Sequence, residues 1–162
     1  LDIITAYITI LVSLNELAGQ QASPTKQTDE CLKQFIDYMA THPDAKMRDY
    51  KSDMILNIHS DASYLSETRA RSRVAGHYFL GTVPKAGQPI QLNGSIFTST
   101  GILKFVVASA AEAELGALFM NCKEGKIVRL ILEESGHKQP PTPMHCDNKT
   151  AAGIANDTVK KH

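Results

Sequence analysis

The spacing of hydrophobic positions changes repeatedly along the chain, and the changes mark its organisation. Cys31, Leu32, Phe35, Ile36 and Met39 recur at helical spacing. Ser23 is placed to cap that helix, Pro24 suits its first position, and His42-Pro43 stops it. From residue 54 the period becomes two. In MILNIHSD, Met54, Leu56 and Ile58 alternate with Ile55, Asn57 and His59, which predicts a strand. VAGHYFLGT (74–82) predicts a second strand and SIFTST (95–100) a third. Between the first two, SYLSETRARSR reads as a charged turn carrying Arg69, Arg71 and Arg73. VPKAGQPIQLNG is a turn region, and ILKFVVAS runs on as an extended connection. Three strands with turn-length links predict an antiparallel meander.

The helical period then returns. Ala111, Leu115, Leu118, Phe119 and Cys122 share one face, with Ser109 as candidate cap. Gly125 breaks the phase, and Ile127, Val128, Leu130 and Ile131 follow on a shifted stripe. A kink or a pair of helices is therefore expected before Gly136 ends the segment. PMHCD predicts a short strand and TAAGIAND a last helix. The order β-β-β-α-β-α gives a mixed α/β (α+β) class. A boundary falls near residue 50, separating a helical segment, 1–50, from the sheet-forming domain, 51–162, across the polar link DAKMRDYKSD.

Composition narrows the class of protein. With 162 residues, 43% hydrophobic and 21% charged, the chain can bury the core of one domain with an appendage. Lys plus Arg balances Asp plus Glu at 17 each, so no global field attracts a polyanion, and nucleic-acid binding would need a local basic patch. Cys31, Cys122 and Cys146 show no CxxC spacing, which argues against a disulfide framework or a zinc site. They read as small buried apolar side chains in a reducing compartment. The opening LDIITAYITILVSL carries Asp2, Thr5 and Thr9 and falls short of the ~20 apolar residues of a spanning helix. No basic segment precedes it, as a signal peptide would require. An intracellular protein without a membrane partner, neither end of which is a natural terminus, is the expectation.

Three acids sit at element boundaries: Asp61 ending the first strand, Glu114 near a helix start, and Asp147 ending the last strand. Carboxylates on separate rigid elements suit Mg²⁺, which takes a few carboxylate oxygens and keeps waters. Two such ions can drive in-line cleavage of a phosphodiester. Each acid also has an ordinary use. Asp61 could form a turn, Asp147 could cap the last helix, and Glu114 could complement the helix dipole. Glu112 and Glu114 flank the apolar stripe on opposite sides, so periodicity does not choose between them. Alternation in strands puts His59 on the face of Asp61, His145 on that of Asp147, and Cys146 on the opposite face, in the core.

IHSDASY, VAGHYFLG, SAAEAELGAL and MHCDNKTAAGI, taken together, resemble the ribonuclease H domain of copia-type retrotransposon polyproteins over about residues 50–160. NELAGQQASPTKQTDECLKQFIDYMATHPDA resembles the region joining reverse transcriptase to ribonuclease H in such polyproteins. The resemblance implies a ribonuclease H-like fold behind a short helical connection, residues 1–50 being the tail of the polymerase. It implies a metal-dependent endonuclease that cuts the RNA strand of RNA–DNA hybrids, with two Mg²⁺ ions (or Mn²⁺) held by Asp61, Glu114 and Asp147. Glu114 is preferred to Glu112 because it is followed by Leu115-Gly116-Ala117, matching the family's Leu-x-Ala. The hybrid and the rest of the polyprotein are the implied partners, in a cytoplasmic particle or the nucleus. Ser63 is placed to meet the 2′-OH side of the RNA strand, and Arg69, Arg71 and Arg73 to meet phosphates. The family's last strand, fourth carboxylate and final helix would lie beyond His162. A degenerate, non-catalytic scaffold that only positions nucleic acid is the alternative.

Overall fold

Two units divide the chain, Leu1–Arg48 and Asp49–His162. The structure, a computed structural model, describes residues 10–43, 49–85 and 87–158. The apolar opening up to residue 9, part of the polar link, and the terminal Lys160, Lys161 and His162 lie outside the described residues.

In the first unit, helices α1 (Leu11–Gln20) and α2 (Lys26–Thr41) form a hairpin. The cap of α2 is Thr25, not Ser23. Its hydroxyl accepts from Thr28 N–H at 3.2 Å while Thr28 Oγ1 accepts from Thr25 N–H at 3.0 Å, a reciprocal capping box. Thr28 Oγ1 also donates to Gln20 Oε1 at 2.7 Å, pinning the end of α1 to the start of α2. The helix stops at His42 as the following proline requires.

The second unit is a four-stranded mixed sheet with two helices. Strands β1 (Ile55–Glu67), β2 (Arg71–Gly81) and β3 (Ser95–Ile102) form the antiparallel meander, and β4 (Met144–His145) pairs parallel with β1, in the order β3-β2-β1-β4. The first hairpin is longer than expected. SYLSE belongs to β1, and Arg71 and Arg73 lie on β2 rather than in a turn. Only residues 68–70 turn, with Arg69 and Ala70 both at positive φ (63° and 51°), where non-glycine residues are uncommon. Glu67 faces Arg73 across this end, Oε1 to Nε 2.5 Å.

Helix α3 (Ala110–Glu134) is one continuous helix of 25 residues, capped by Ser109, whose side chain accepts from Glu112 N–H. It does not divide at Gly125. A Cβ there would sit 2.4 Å from Ile58 Cδ1, so this glycine lets the helix approach β1 closely. Its end is a Schellman turn. Gly136, at φ 90°, donates to Glu133 C=O and His137 donates to Leu132 C=O. The buried face differs from the stripe of large residues. Ala113, Ala117, Asn121 and Gly125 are buried against the sheet, whereas Leu115 and Leu118 are half-buried and Phe119 and Cys122 exposed. Small side chains win the inner face because tight packing on a sheet needs them there.

The core has two parts. Val74, Leu103, Val107, Ala113 and Ala117 form one, beneath Ala62; Leu56, Ile58 and Tyr78 form the other, with Val128, Leu132 and Met144 against it. Between them Asn121 ties α3 to all three antiparallel strands. Its Nδ2 donates to Ser60 Oγ (2.9 Å) and Ala75 C=O (2.8 Å), and its Oδ1 accepts from Tyr78 OH and Ser99 Oγ, both at 3.0 Å. A buried network with each member paired specifies one register of helix on sheet.

Candidate metal centre

The centre exists because β4 is short. It meets β1 only at Ile58 and His59, and beyond them the outer edge of β1 has no strand neighbour among the described residues. Ala62 N–H, on that bare stretch, is shared by two carboxylates: Asp61 Oδ1 at 2.9 Å and Glu114 Oε1 at 3.1 Å. These two oxygens are therefore no farther apart than the sum of the two lengths. Leaving β4, the chain presents Cys146 and Asp147 before helix α4 (Lys149–Ala155) begins. Asn148 caps α4 by accepting from Ala151 N–H at 3.0 Å, so Asp147 is not spent as the cap.

Glu114 is the hub. A ligand atom from each of Glu114, Cys146 and Asp147 lies within 4.8 Å of the other two, and the three could hold a metal ion. Asp61 stands outside that mutual range and joins the group through the shared amide. The structure also separates the two glutamates. Glu112 is exposed and turns back to accept from Ala108 N–H at 2.7 Å, whereas Glu114 is 5% exposed and faces β1.

Burial pushes the Glu114 carboxyl above the usual carboxylate range. Hydrogen bonds from Ala62 N–H and the Cys146 thiol oppose this, and the charges of Asp61 and Asp147 add to it. Among the described residues no cationic side chain pairs with any of these acids; the ion pairs are Arg73 with Glu67 and Arg129 with Glu133. A buried carboxylate flanked by two others and lacking a counter-charge could hold a divalent cation.

Cys146 is not a core residue on the opposite face. The strand ends at His145, so its alternation does not extend to residue 146, and the half-buried thiol donates to Glu114 Oε2 at 3.7 Å. Burial pushes this thiol up, and the charge of Glu114 pushes the same way. Cys31 and Cys122, also expected in the interior, are exposed. Sequence reasoning missed Cys146 as a member of the group; its place beside Asp147 was the available signal.

The centre opens into a cleft of about 1020 Å³ that reaches Ser60 and Asp61 on one side and Ala152 and Asn156 on the other. His59 and His145 both line it, with ring centroids 4.7 Å apart. Burial lowers the pKa of both rings; the charge of His77 lowers His59 further, and that of His59 lowers His145 further. His145 Nε2 lies 3.1 Å from Asn57 Oδ1, while His59 Nε2 is buried with no hydrogen-bond partner among the described residues.

The residues expected to touch nucleic acid stand on the first hairpin. Ser63 is exposed two residues past Asp61, its hydroxyl bonded to Ser66 Oγ. Arg69 is exposed in the turn, and Arg71 is exposed on β2 with Nε donating to Thr68 C=O. Arg73 is committed to Glu67 and reaches Thr100 Oγ1 at 3.4 Å.

Comparison with family models, curated proteins and solved structures found no match. Among the described residues no helix is long and apolar enough to cross a membrane.

Proposed function

We propose that residues 51–162 form a ribonuclease H-like nuclease domain and that residues 1–50 are the end of the reverse transcriptase that precedes it in a copia-type polyprotein. The reaction is hydrolysis of the RNA strand of an RNA–DNA hybrid. The observation that carries this reading is the buried, uncompensated Glu114 beside Asp61 and Asp147. The strand order β3-β2-β1-β4, with one long helix delivering the glutamate to β1, supports it.

Asp61, Glu114 and Asp147 are the residues that would hold Mg²⁺ or Mn²⁺. When bound, a pair of such ions activates water and stabilises the leaving 3′-oxygen. The chain's own part is positional. Ala62 N–H aligns two carboxylates, α3 holds Glu114 out of water, and the end of β4 delivers Asp147. Recognition rests on the shape of the hybrid and its 2′-hydroxyls, with the exposed Arg69 and Arg71 available to phosphates.

One observation favours a second reading, a scaffold that binds nucleic acid without cutting it. The thiol of Cys146, not the carboxylate of Asp61, completes the tightest group around Glu114. A labelled RNA–DNA hybrid incubated with this chain and Mg²⁺ or Mn²⁺ separates the two. The nuclease reading expects cleavage of the RNA strand only, abolished by chelation and lowered at least about 100-fold by Asp61→Asn. Metal binding and hybrid binding without cleavage would leave the scaffold.

A further inference from the structure

We infer that the centre has a second binding mode for a thiophilic divalent ion, Zn²⁺ or Cd²⁺, in which Cys146 Sγ, a Glu114 oxygen and an Asp147 oxygen are the three protein ligands. This rests on the metal-binding part of the function proposed above, not on nuclease activity.

The geometry carries the argument. A tetrahedral zinc ion with a Zn–S bond of about 2.3 Å and a Zn–O bond of about 2.1 Å places its sulfur and oxygen ligands about 3.6 Å apart. Cys146 Sγ and Glu114 Oε2 stand 3.7 Å apart. That pair already has the spacing of one tetrahedral edge. Asp147, within 4.8 Å of both and exposed, closes the remaining gap by rotating its side chain. The burial of Glu114, whose oxygens accept only from Ala62 N–H and the Cys146 thiol among the described residues, adds to this. Glu114 is 5% exposed and has no cationic partner among the described residues, so an ion here removes an existing electrostatic cost.

Hardness separates the two modes. Mg²⁺ takes oxygen ligands and keeps its waters, so it leaves the thiol protonated and donating to Glu114. A thiophilic ion takes the sulfur. The Cys146 S–H bond breaks, the proton passes to solvent, a sulfur–metal bond and two oxygen–metal bonds form, and all but one of the hydrated ion's waters leave. The fourth position stays with water. Because Glu114 and Asp147 serve both modes, a thiophilic ion excludes a hard one, and the site acquires inhibition by zinc.

The test uses the full chain with the two exposed cysteines replaced, Cys31→Ser and Cys122→Ser, so that Cys146 is the only thiol. Cd²⁺ is titrated in while sulfur-to-metal charge-transfer absorption is followed, and Zn²⁺ and Mn²⁺ affinities are measured by calorimetry. The expected result is a charge-transfer band that saturates at one ion per chain and weakens on Glu114→Gln. Adding Cys146→Ser should abolish the band and lower the ratio of Zn²⁺ to Mn²⁺ affinity at least about tenfold. Mn²⁺ binding without a Cd²⁺ band, or an unchanged ratio in Cys146→Ser, overturns this inference and leaves the nuclease proposal standing. Absence of binding by either class of ion overturns both.

Discussion

Replacing Glu114 by Gln should stabilise the metal-free protein and abolish its stabilisation by metal. Gln is nearly isosteric and its Oε1 can still accept from Ala62 N–H, so the change removes the charge and the weak hydrogen bond from the Cys146 thiol to Oε2. Ligand atoms of Glu114 and Asp147 lie within 4.8 Å. At that separation two like charges repel by about 3.5 kcal/mol at an effective dielectric of 20 and by about 1 kcal/mol in bulk water. Asp147 is exposed, so the lower figure applies, and the substitution should raise metal-free stability by about 1 kcal/mol. For the unsubstituted chain, Mn²⁺ at a hundred times its Kd adds about 2.7 kcal/mol by mass action. For a domain near 100 residues that is a rise in Tm of roughly 10 °C or more. Thermal unfolding of both proteins, with and without Mn²⁺, reads both effects. A variant more stable than its parent yet blind to metal is the opposite of ordinary core damage. If Glu114→Gln instead unfolds earlier without metal, or still gains the full Mn²⁺ shift, the buried charge is not what this centre is built around.

Two further outcomes follow from the packing around the centre. Asn121→Leu strands the Ser60 and Ser99 hydroxyls and the Ala75 carbonyl, and takes one acceptor from Tyr78 OH. Only the Ser60 hydroxyl among the stranded groups is fully buried, so at about 1–3 kcal/mol for a stranded buried group the change should cost about 2 kcal/mol by urea denaturation; a loss under about 1 kcal/mol would show the network to be dispensable. The second concerns His59 and His145, whose pKa values are lowered in the fold by burial, with the charge of His77 adding to the effect at His59 and that of His59 at His145. The unfolded chain then binds protons more readily than the folded one, so stability is present above the ordinary histidine value of about 6.5 and falls as pH drops through the lowered folded values. His59→Phe should flatten that fall between neutral pH and about pH 5.5, and an unchanged slope would count against the pair.

Along this sequence, short-range chemistry was legible. Alternation in MILNIHSD and VAGHYFLG placed the two central strands, Ser109 announced the start of α3, and Gly136 its end. These signals depend on a residue and its near neighbours. For the acids this held in part: Glu114 lies near the start of α3 and Asp147 just past β4, whereas Asp61, expected to end the first strand, lies in the middle of β1 because the strand runs on to Glu67. Three features were not legible. The first hairpin turns through Arg69 and Ala70 at positive φ without the Asn-Gly or Asp-Gly that normally marks such a turn, so SYLSE looked like loop. Helix α3 buries Ala113, Ala117 and Asn121 and leaves Phe119 outside, an inversion that follows only from how closely β1 and β2 approach. The capture of Cys146 waited on where β4 stops beside β1; the preference for Glu114 over Glu112, which periodicity left open, came in the sequence only from the family resemblance. Periodicity records which side of an element is apolar, whereas the meeting of residues 61, 114 and 147 is set by sheet order and by the distance between helix and strand, which no local pattern encodes.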